Sequence, residues 1–255
     1  MIELNNVSIF YGKDKVVKDV NATINEKVIL LGPNGSGKST LLKAIAGIIP
    51  YQGHIFIDGK EVSKLRNYTE LSTNINEAFS LGVKLKDVIY IYEEIKGINS
   101  KLAIGMLSQL GLKDLNKNIY SLSAGQGVIF RTIIALASNS KIILLDEPFE
   151  NVDIGKRKII ANWIKEYGKE GIIVTHELDM VKIFKDYKAN LIFEGKVFGP
   201  ITAKDILESS IIEGEDQSAI LEIEVNKKKY SFVKGEKGYK VENLVTLDRI
   251  YNLGE

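Results

Sequence analysis

Residues 32–40 read GPNGSGKST, which places Gly32, Gly37, Lys38 and Ser39 at every fixed position of a G-x-x-x-x-G-K-[ST] loop. The chemistry such a loop supports is anion binding. Its glycines let the backbone curl until several N–H groups converge on one point. A helix starting at the same place adds the positive end of its dipole. Lys38 is long enough to reach the β- and γ-phosphates of a nucleotide, and the Ser39 hydroxyl can ligate Mg²⁺. The motif requires a buried strand before it and a helix after it. The sequence offers both, as the apolar run KVILL at 27–31 and a helical pattern over 38–47. A chance glycine-rich turn would lack that setting.

A second group follows at 142–148, IILLDEP. Four apolar residues carry a strand to an end at which Asp146 and Glu147 emerge, expected beside the phosphate loop. An acid there can hold Mg²⁺, usually through water, and the adjacent Glu147 can polarise an attacking water. Alone, an apolar run ending in two acids is a common strand end. In company with the phosphate loop it reads as a metal and water pair.

Composition removes other chemistries. The chain has 255 residues, 45% of them hydrophobic and 26% charged, as in an ordinary globular core. Its formal net charge of +1 supplies no global field for gathering nucleic acid or an anionic membrane. The absence of cysteine excludes disulfides, thiolate zinc sites and cysteine nucleophiles. With only His54 and His176, a histidine-built metal site is not expected. The N-terminal MIELNNVSIF lacks the basic and apolar regions of a signal peptide. No apolar run approaches the ~18 residues that span a bilayer.

The elements that must position these residues follow from periodicity. Strands are expected over 2–9, 27–31, 141–145 and 171–175, the last three apolar enough to be buried on both faces. Helices are expected over 38–47, 124–138 and 154–167. Their alternation predicts an α/β fold with a mainly parallel core sheet. Residues 2–24 and 51–62, with an Asp58-Gly59 turn, predict an antiparallel β layer. Residues about 84–122 predict a small helical subdomain, and 201–209 a short helix. The alternation over 219–233 predicts a hairpin within a small β-rich appendage. This gives one domain over 1–209 and the appendage over 210–255.

At 122–126 the chain reads LSAGQ, shortly before the acid-bearing strand. Read alone, it is a helix start with Ser123 as cap. In this place it resembles the LSGGQ signature of the ABC ATPase family, and the resemblance runs motif by motif over roughly residues 1–200. Ala124 replaces a glycine and is still small. The resemblance implies a P-loop NTPase fold that binds ATP with Mg²⁺ through Asn34, Gly35, Ser36, Gly37, Lys38, Ser39 and Thr40. It implies Glu147, His176 and Lys38 as the catalytic residues. Tyr11, before Gly12, matches the aromatic that stacks on adenine. Ser123, Gly125 and Gln126 match residues aimed at the γ-phosphate of ATP in the other subunit of a dimer. Asp153, in ENVD, matches the acid of the dimer-contacting loop, while Asn151 and Val152 depart from the commoner small residues. His176, in THELD, matches the switch histidine. His54 matches nothing and is expected on a surface strand.

Two departures stand out. The family glutamine that touches Mg²⁺ has no counterpart between Gln52 and Gln109. Asn74 or Asn76 must stand in, with Asn74 favoured, so the implied metal set is Ser39, Asp146 and Asn74. The arginine usual after the signature is replaced by Ile129. The implied function is ATP hydrolysis at a head-to-tail dimer interface, driving transport through separate transmembrane permease subunits on the cytoplasmic face of the cell membrane. The second ATPase subunit is either a copy of this chain or a paralogue, and no direct nucleic-acid contact is expected. A soluble ABC-type ATPase outside transport and a nucleotide-binding regulator with little hydrolysis are the competing readings.

Overall fold

Alternating apolar residues build the first strands. The computed structural model describes residues 1–79, 82–235 and 237–252. Its first strands are β1 (Ile2–Tyr11), β2 (Asp14–Ile24) and β3 (Lys27–Leu31), followed by α1 (Lys38–Ile45), β4 (Gln52–Ile57) and β5 (Lys60–Glu61). Ile2, Leu4, Val7 and Ile9 of β1 are buried. Their alternation changes parity between Leu4 and Val7, where Asn6 has φ 50° and the register against β2 shifts. One inserted residue is what lets both halves of the strand face the same core. The order β2-β1-β4-β5 forms the expected antiparallel layer. Asp58 and Gly59 both have positive φ, 48° and 75°, as a two-residue hairpin between twisted strands requires.

The chain contains two compact units, one formed by Met1–Lys64 with the residues from Val174 onward and the other by Leu65–Ile173. In the second unit lie β6 (Leu71–Thr73), α2 (Leu85–Lys96), α3 (Ser100–Gln109), α4 (Ala124–Ala137), β7 (Ile142–Asp146), α5 (Ile154–Glu166) and most of β8 (Glu170–Thr175). β6 pairs parallel with β7, Leu71 opposite Ile142 and Thr73 opposite Leu144. β7 is in turn the neighbour of β8. Ile142, Ile143, Leu144 and Leu145 are all buried, which is why this strand reads as an unbroken apolar run. The expected helical stretch 84–122 resolves into α2, α3 and a 3₁₀ turn at Ile119–Ser121. Helix α4 buries Val128, Ile129, Phe130, Ile133 and Ile134.

Back in the first unit are α6 (Leu178–Ile183), β9 (Lys188–Phe193), β10 (Lys196–Thr202), α7 (Ala203–Leu207), β11 (Ser209–Glu213), β12 (Ala219–Val225), β13 (Lys228–Lys234) and β14 (Tyr239–Lys240). β9 pairs parallel with β3, Leu31 opposite Leu191, and antiparallel with β10. The β9–β10 hairpin lies outside the expected elements; its turn is Glu194-Gly195, with φ 48° and 79°. The expected C-terminal hairpin is β12–β13, inside a sheet of order β12-β13-β11-β14. Strand β11 straddles the 209/210 position, and residues after it cluster with the first unit.

Phe130 is fully buried at the middle of α4. Phe130→Ala removes a ring whose space its neighbours cannot fill, so it should cost about 3–5 kcal/mol of unfolding free energy. Denaturant titration by circular dichroism measures this, and a cost under about 1 kcal/mol would contradict the packing described.

Candidate functional site

The phosphate loop joins β3 to α1 within the first unit. Asn34 and Gly35 are exposed, Ser36, Gly37 and Lys38 are buried, and Ser39 and Thr40 are half-buried. Gly35 and Gly37 have φ 78° and 106°, in the left-handed region that favours glycine. Gly32 is demanded by space instead, since a Cβ there would lie 2.3 Å from the Ile192 carbonyl oxygen. The loop is braced by the β9–β10 turn, where Gly195 N–H donates to Ser36 C=O at 3.0 Å. Lys38 Nζ donates to the carbonyls of Gly32 and Pro33, both at 2.8 Å, and so ties the loop across its base. The Ser36 hydroxyl is buried with no hydrogen-bond partner among the described residues. A buried hydroxyl in that state is costly, and an anion in the loop is the ligand that would relieve it.

In the second unit, β7 ends at Asp146, and both Asp146 and Glu147 are half-buried. Glu147 has φ 42°, an uncommon backbone for a residue with a long side chain. Such strain persists where surrounding structure fixes it, and it is frequent at functional sites. Asn74, the residue expected to ligate metal, lies in this unit beside the end of β7. It is buried, its Oδ1 accepts from Asp146 N–H at 2.7 Å, and its Nδ2 donates to Asp146 C=O at 3.0 Å and Thr132 Oγ1 at 3.1 Å. The Asp146 N–H takes one of the two lone pairs of that amide oxygen. Asn76 is exposed at the start of a 3₁₀ turn, Asn76–Phe79.

The LSAGQ residues form the start of α4 as expected. Ser123 is the N-cap, and its Oγ accepts from Gln126 N–H at 3.3 Å while Gln126 Oε1 accepts from Ser123 N–H at 3.2 Å. This reciprocal box satisfies two otherwise orphaned donors. Lys117 Nζ also donates to Gln126 Oε1, at 3.0 Å. Ser123 and Ala124 remain exposed. Gly125 has a reason that sequence reading missed, because a Cβ there would lie 2.0 Å from the Asn151 carbonyl oxygen. With glycine at 125, the Asn151 carbonyl before α5 comes close against the start of α4. Asp153 occupies the N-cap position of α5 without a side-chain cap bond, is exposed, and pairs with Lys156 at 3.1 Å.

Tyr11 ends β1 and is 52% exposed, as an aromatic available for stacking should be. His54 lies exposed on β4, with Nδ1 3.2 Å from Glu61, as a surface strand residue should. His176 follows β8 and is half-buried. Sequence reading also missed the C-terminal segment. Val245 C=O accepts from Leu178 N–H at 3.2 Å, Glu177 bridges Thr246, and Asp248 Oδ1 accepts from Asn34 N–H at 3.1 Å. One stretch of chain thus touches both the loop after His176 and the phosphate loop.

Known proteins are similar to this chain in sequence and in fold. A sequence profile described as ABC transporter matches residues 17–150. The manganese transport system ATP-binding protein of Bacillus subtilis (strain 168) is 33% identical over 215 residues, covering 78% of this chain and 86% of its own length. A solved structure described as a putative cobalt transport ATP-binding protein is 50% identical with a TM-score of 0.94, over 99% of this chain and 100% of that one. A dimeric bacterial ABC transporter cassette is 26% identical with a TM-score of 0.66, over 77% of this chain and 96% of that one.

Lys38→Ala removes both the cation and the tie across the loop. Nucleotide turnover should fall by about 100-fold or more, with weaker nucleotide binding. A steady-state phosphate-release assay within a few-fold of the parent would overturn the assignment of this loop.

Proposed function

The chain belongs to the ABC transporter family, and on that premise we propose how its residues carry out the reaction. It is an ATP-binding, ATP-hydrolysing subunit that powers transport across a membrane through separate membrane-spanning partners. None of the described helices is long and apolar enough to cross a membrane. In our reading the chain works on the cytoplasmic face, paired with a second copy or a paralogous ATPase subunit. Residues 1–209 carry the ATPase and 210–255 form an accessory β-rich element that reaches the phosphate loop through Asp248. The relatives' names differ in cargo, which fits a cargo chosen by the membrane-spanning partners.

The observation that carries the proposal is the phosphate loop, with two left-handed glycines, a helix start and a buried hydroxyl awaiting a partner. The backbone N–H groups of Gly35 through Thr40 and the Lys38 ammonium hold the phosphates, Asn34 flanks them with its own N–H on Asp248, and Tyr11 stacks on the adenine. The Ser39 hydroxyl and the Asp146 carboxylate are hard oxygen donors suited to Mg²⁺. Bound to them, the ion would neutralise charge building on the phosphate oxygens. Asn74 is left out of this set, because its oxygen is bonded to Asp146 N–H. Glu147 orients the attacking water and accepts its proton as the new O–P bond forms and the bond to ADP breaks. His176 contacts the γ-phosphate. Ser123, Gly125 and Gln126 close on the γ-phosphate held by the other subunit, and Asp153 supports that contact.

Glu147→Gln keeps the shape and loses the base. It should bind ATP and turn over at least about 100-fold more slowly. Because ATP then persists between two subunits, the variant should elute as a dimer with ATP and as a monomer without it. Size-exclusion chromatography with light scattering reads this, and an elution volume indifferent to ATP at high protein concentration would count against the two-subunit site.

A further inference from the structure

We propose that Asn74 is a positioning residue for Asp146: its carboxamide grips the acid's own peptide groups at both N–H and C=O and so sets where the carboxylate stands. The inference rests on the reading of Asp146 as the metal-binding acid. It concerns a residue to which that reading gives no role.

The hydrogen-bond inventory supports the grip. A carboxamide has two N–H donors and an oxygen with two lone pairs. Here both donations go to named acceptors, Asp146 C=O at 3.0 Å and Thr132 Oγ1 at 3.1 Å, and the oxygen takes Asp146 N–H at 2.7 Å. The orientation of the amide is fixed by its partners, since a backbone N–H needs an acceptor and a backbone C=O needs a donor. Asn74 itself is held by its backbone. Its N–H donates to Leu144 C=O at 3.4 Å, and its C=O accepts from Arg131 Nε at 3.1 Å. The residue is 4% exposed, so water is a poor substitute for any of these partners.

Position in the sheet explains why the grip is needed. The β6–β7 ladder runs from Leu71 opposite Ile142 to Thr73 opposite Leu144, and β6 ends there. Asp146 lies two residues further on, with no backbone from β6 left to pair it. The Asn74 carboxamide has the shape and polarity of a peptide group and extends the ladder by one more rung. The next residue, Glu147, turns to φ 42°. Asn74 therefore pins the last extended residue before a strained one, where an unpinned strand end would fray. Asparagine has the reach for this, whereas one more methylene would have to be accommodated inside a packed site.

Two readouts separate gripping from ligation. The first needs no metal and no nucleotide: amide hydrogen exchange at Asp146, followed by NMR on protein labelled with ¹⁵N-aspartate. Asn74→Ala should speed exchange at Asp146 at least about ten-fold while Asp205 and Asp179, far along the chain, keep their rates. Thr132→Val, which removes one acceptor and keeps the shape, should speed it less. The second readout is Mn²⁺ binding, followed by electron paramagnetic resonance, to the Glu147→Gln protein loaded with ATP. If Asn74 grips, Asn74→Asp loses both N–H donations, sets a carboxylate against the Asp146 carbonyl and weakens Mn²⁺ by about five-fold or more. If Asn74 ligates, the added carboxylate tightens Mn²⁺. Unchanged exchange at Asp146 in Asn74→Ala, or tighter Mn²⁺ in Asn74→Asp, overturns the proposal. Asp146→Asn is the control for the underlying reading: if it leaves Mn²⁺ binding intact, the metal assignment fails, and the exchange result still decides whether Asn74 grips.

Discussion

A polar, glycine-bent loop between a buried strand and a helix start is the constraint on which the first unit depends. Left alone, such a loop is unfavourable. Its glycines give up much conformational freedom, and a buried hydroxyl without a partner costs about 1–3 kcal/mol. The surrounding elements hold it regardless. Ile192 of β9 leaves room only for hydrogen at Gly32, the β9–β10 turn donates to Ser36 C=O, and Lys38 ties two carbonyls across the base. A loop pre-formed in this way pays its ordering cost at folding, so a nucleotide's phosphates meet it with that cost already met. Asp248 joins the same framework from far down the chain by accepting Asn34 N–H.

The second unit applies the same logic to carboxylates and to a helix end. Asp146 stands at a strand terminus beyond the reach of the neighbouring ladder, and a side chain completes the pairing. Glu147 then takes a backbone conformation that glutamate seldom adopts. At α4 the capping box turns Ser123 and Gln126 toward each other, and Gly125 lets the Asn151 carbonyl approach within a distance no Cβ would allow. These are rigid attachments to strands and helices, which hold functional groups more accurately than free loops can.

What the sequence made legible was whatever is encoded locally. The phosphate loop, the paired acids and LSAGQ each announce themselves within a few residues, because a tight turn, a strand end and a helix cap are local events. The same holds for the Asp58-Gly59 turn and the 219–233 hairpin. The β9–β10 hairpin was missed because Glu-Gly is a weaker turn signal than Asp-Gly, although LIFEGKVF has the right form. Non-local facts were out of reach. The partners of Asn74 lie 58 and 72 positions away and that of Asp248 lies 214 away, and no spacing rule connects them. The place of Asn74 in a motif points to a metal ligand, and only its neighbours in space show the bond its oxygen makes to a backbone N–H. Gly125 was read by its motif too, and its steric reason became visible only with Asn151 against it.

The claim that the loop is built for a polyphosphate is tested most directly by the melting temperature of the intact protein titrated with ATP, ADP and AMP. Binding to the folded state alone stabilises by RT ln(1 + [L]/Kd), about 2.7 kcal/mol at a hundred-fold excess over Kd. The account predicts a rise of several degrees with ATP and with ADP, both of which place a β-phosphate in the loop, and little or none with AMP at the same concentration. Equal rises with all three nucleotides would show that the base and sugar carry the binding. No rise with any of them would contradict the account at its root.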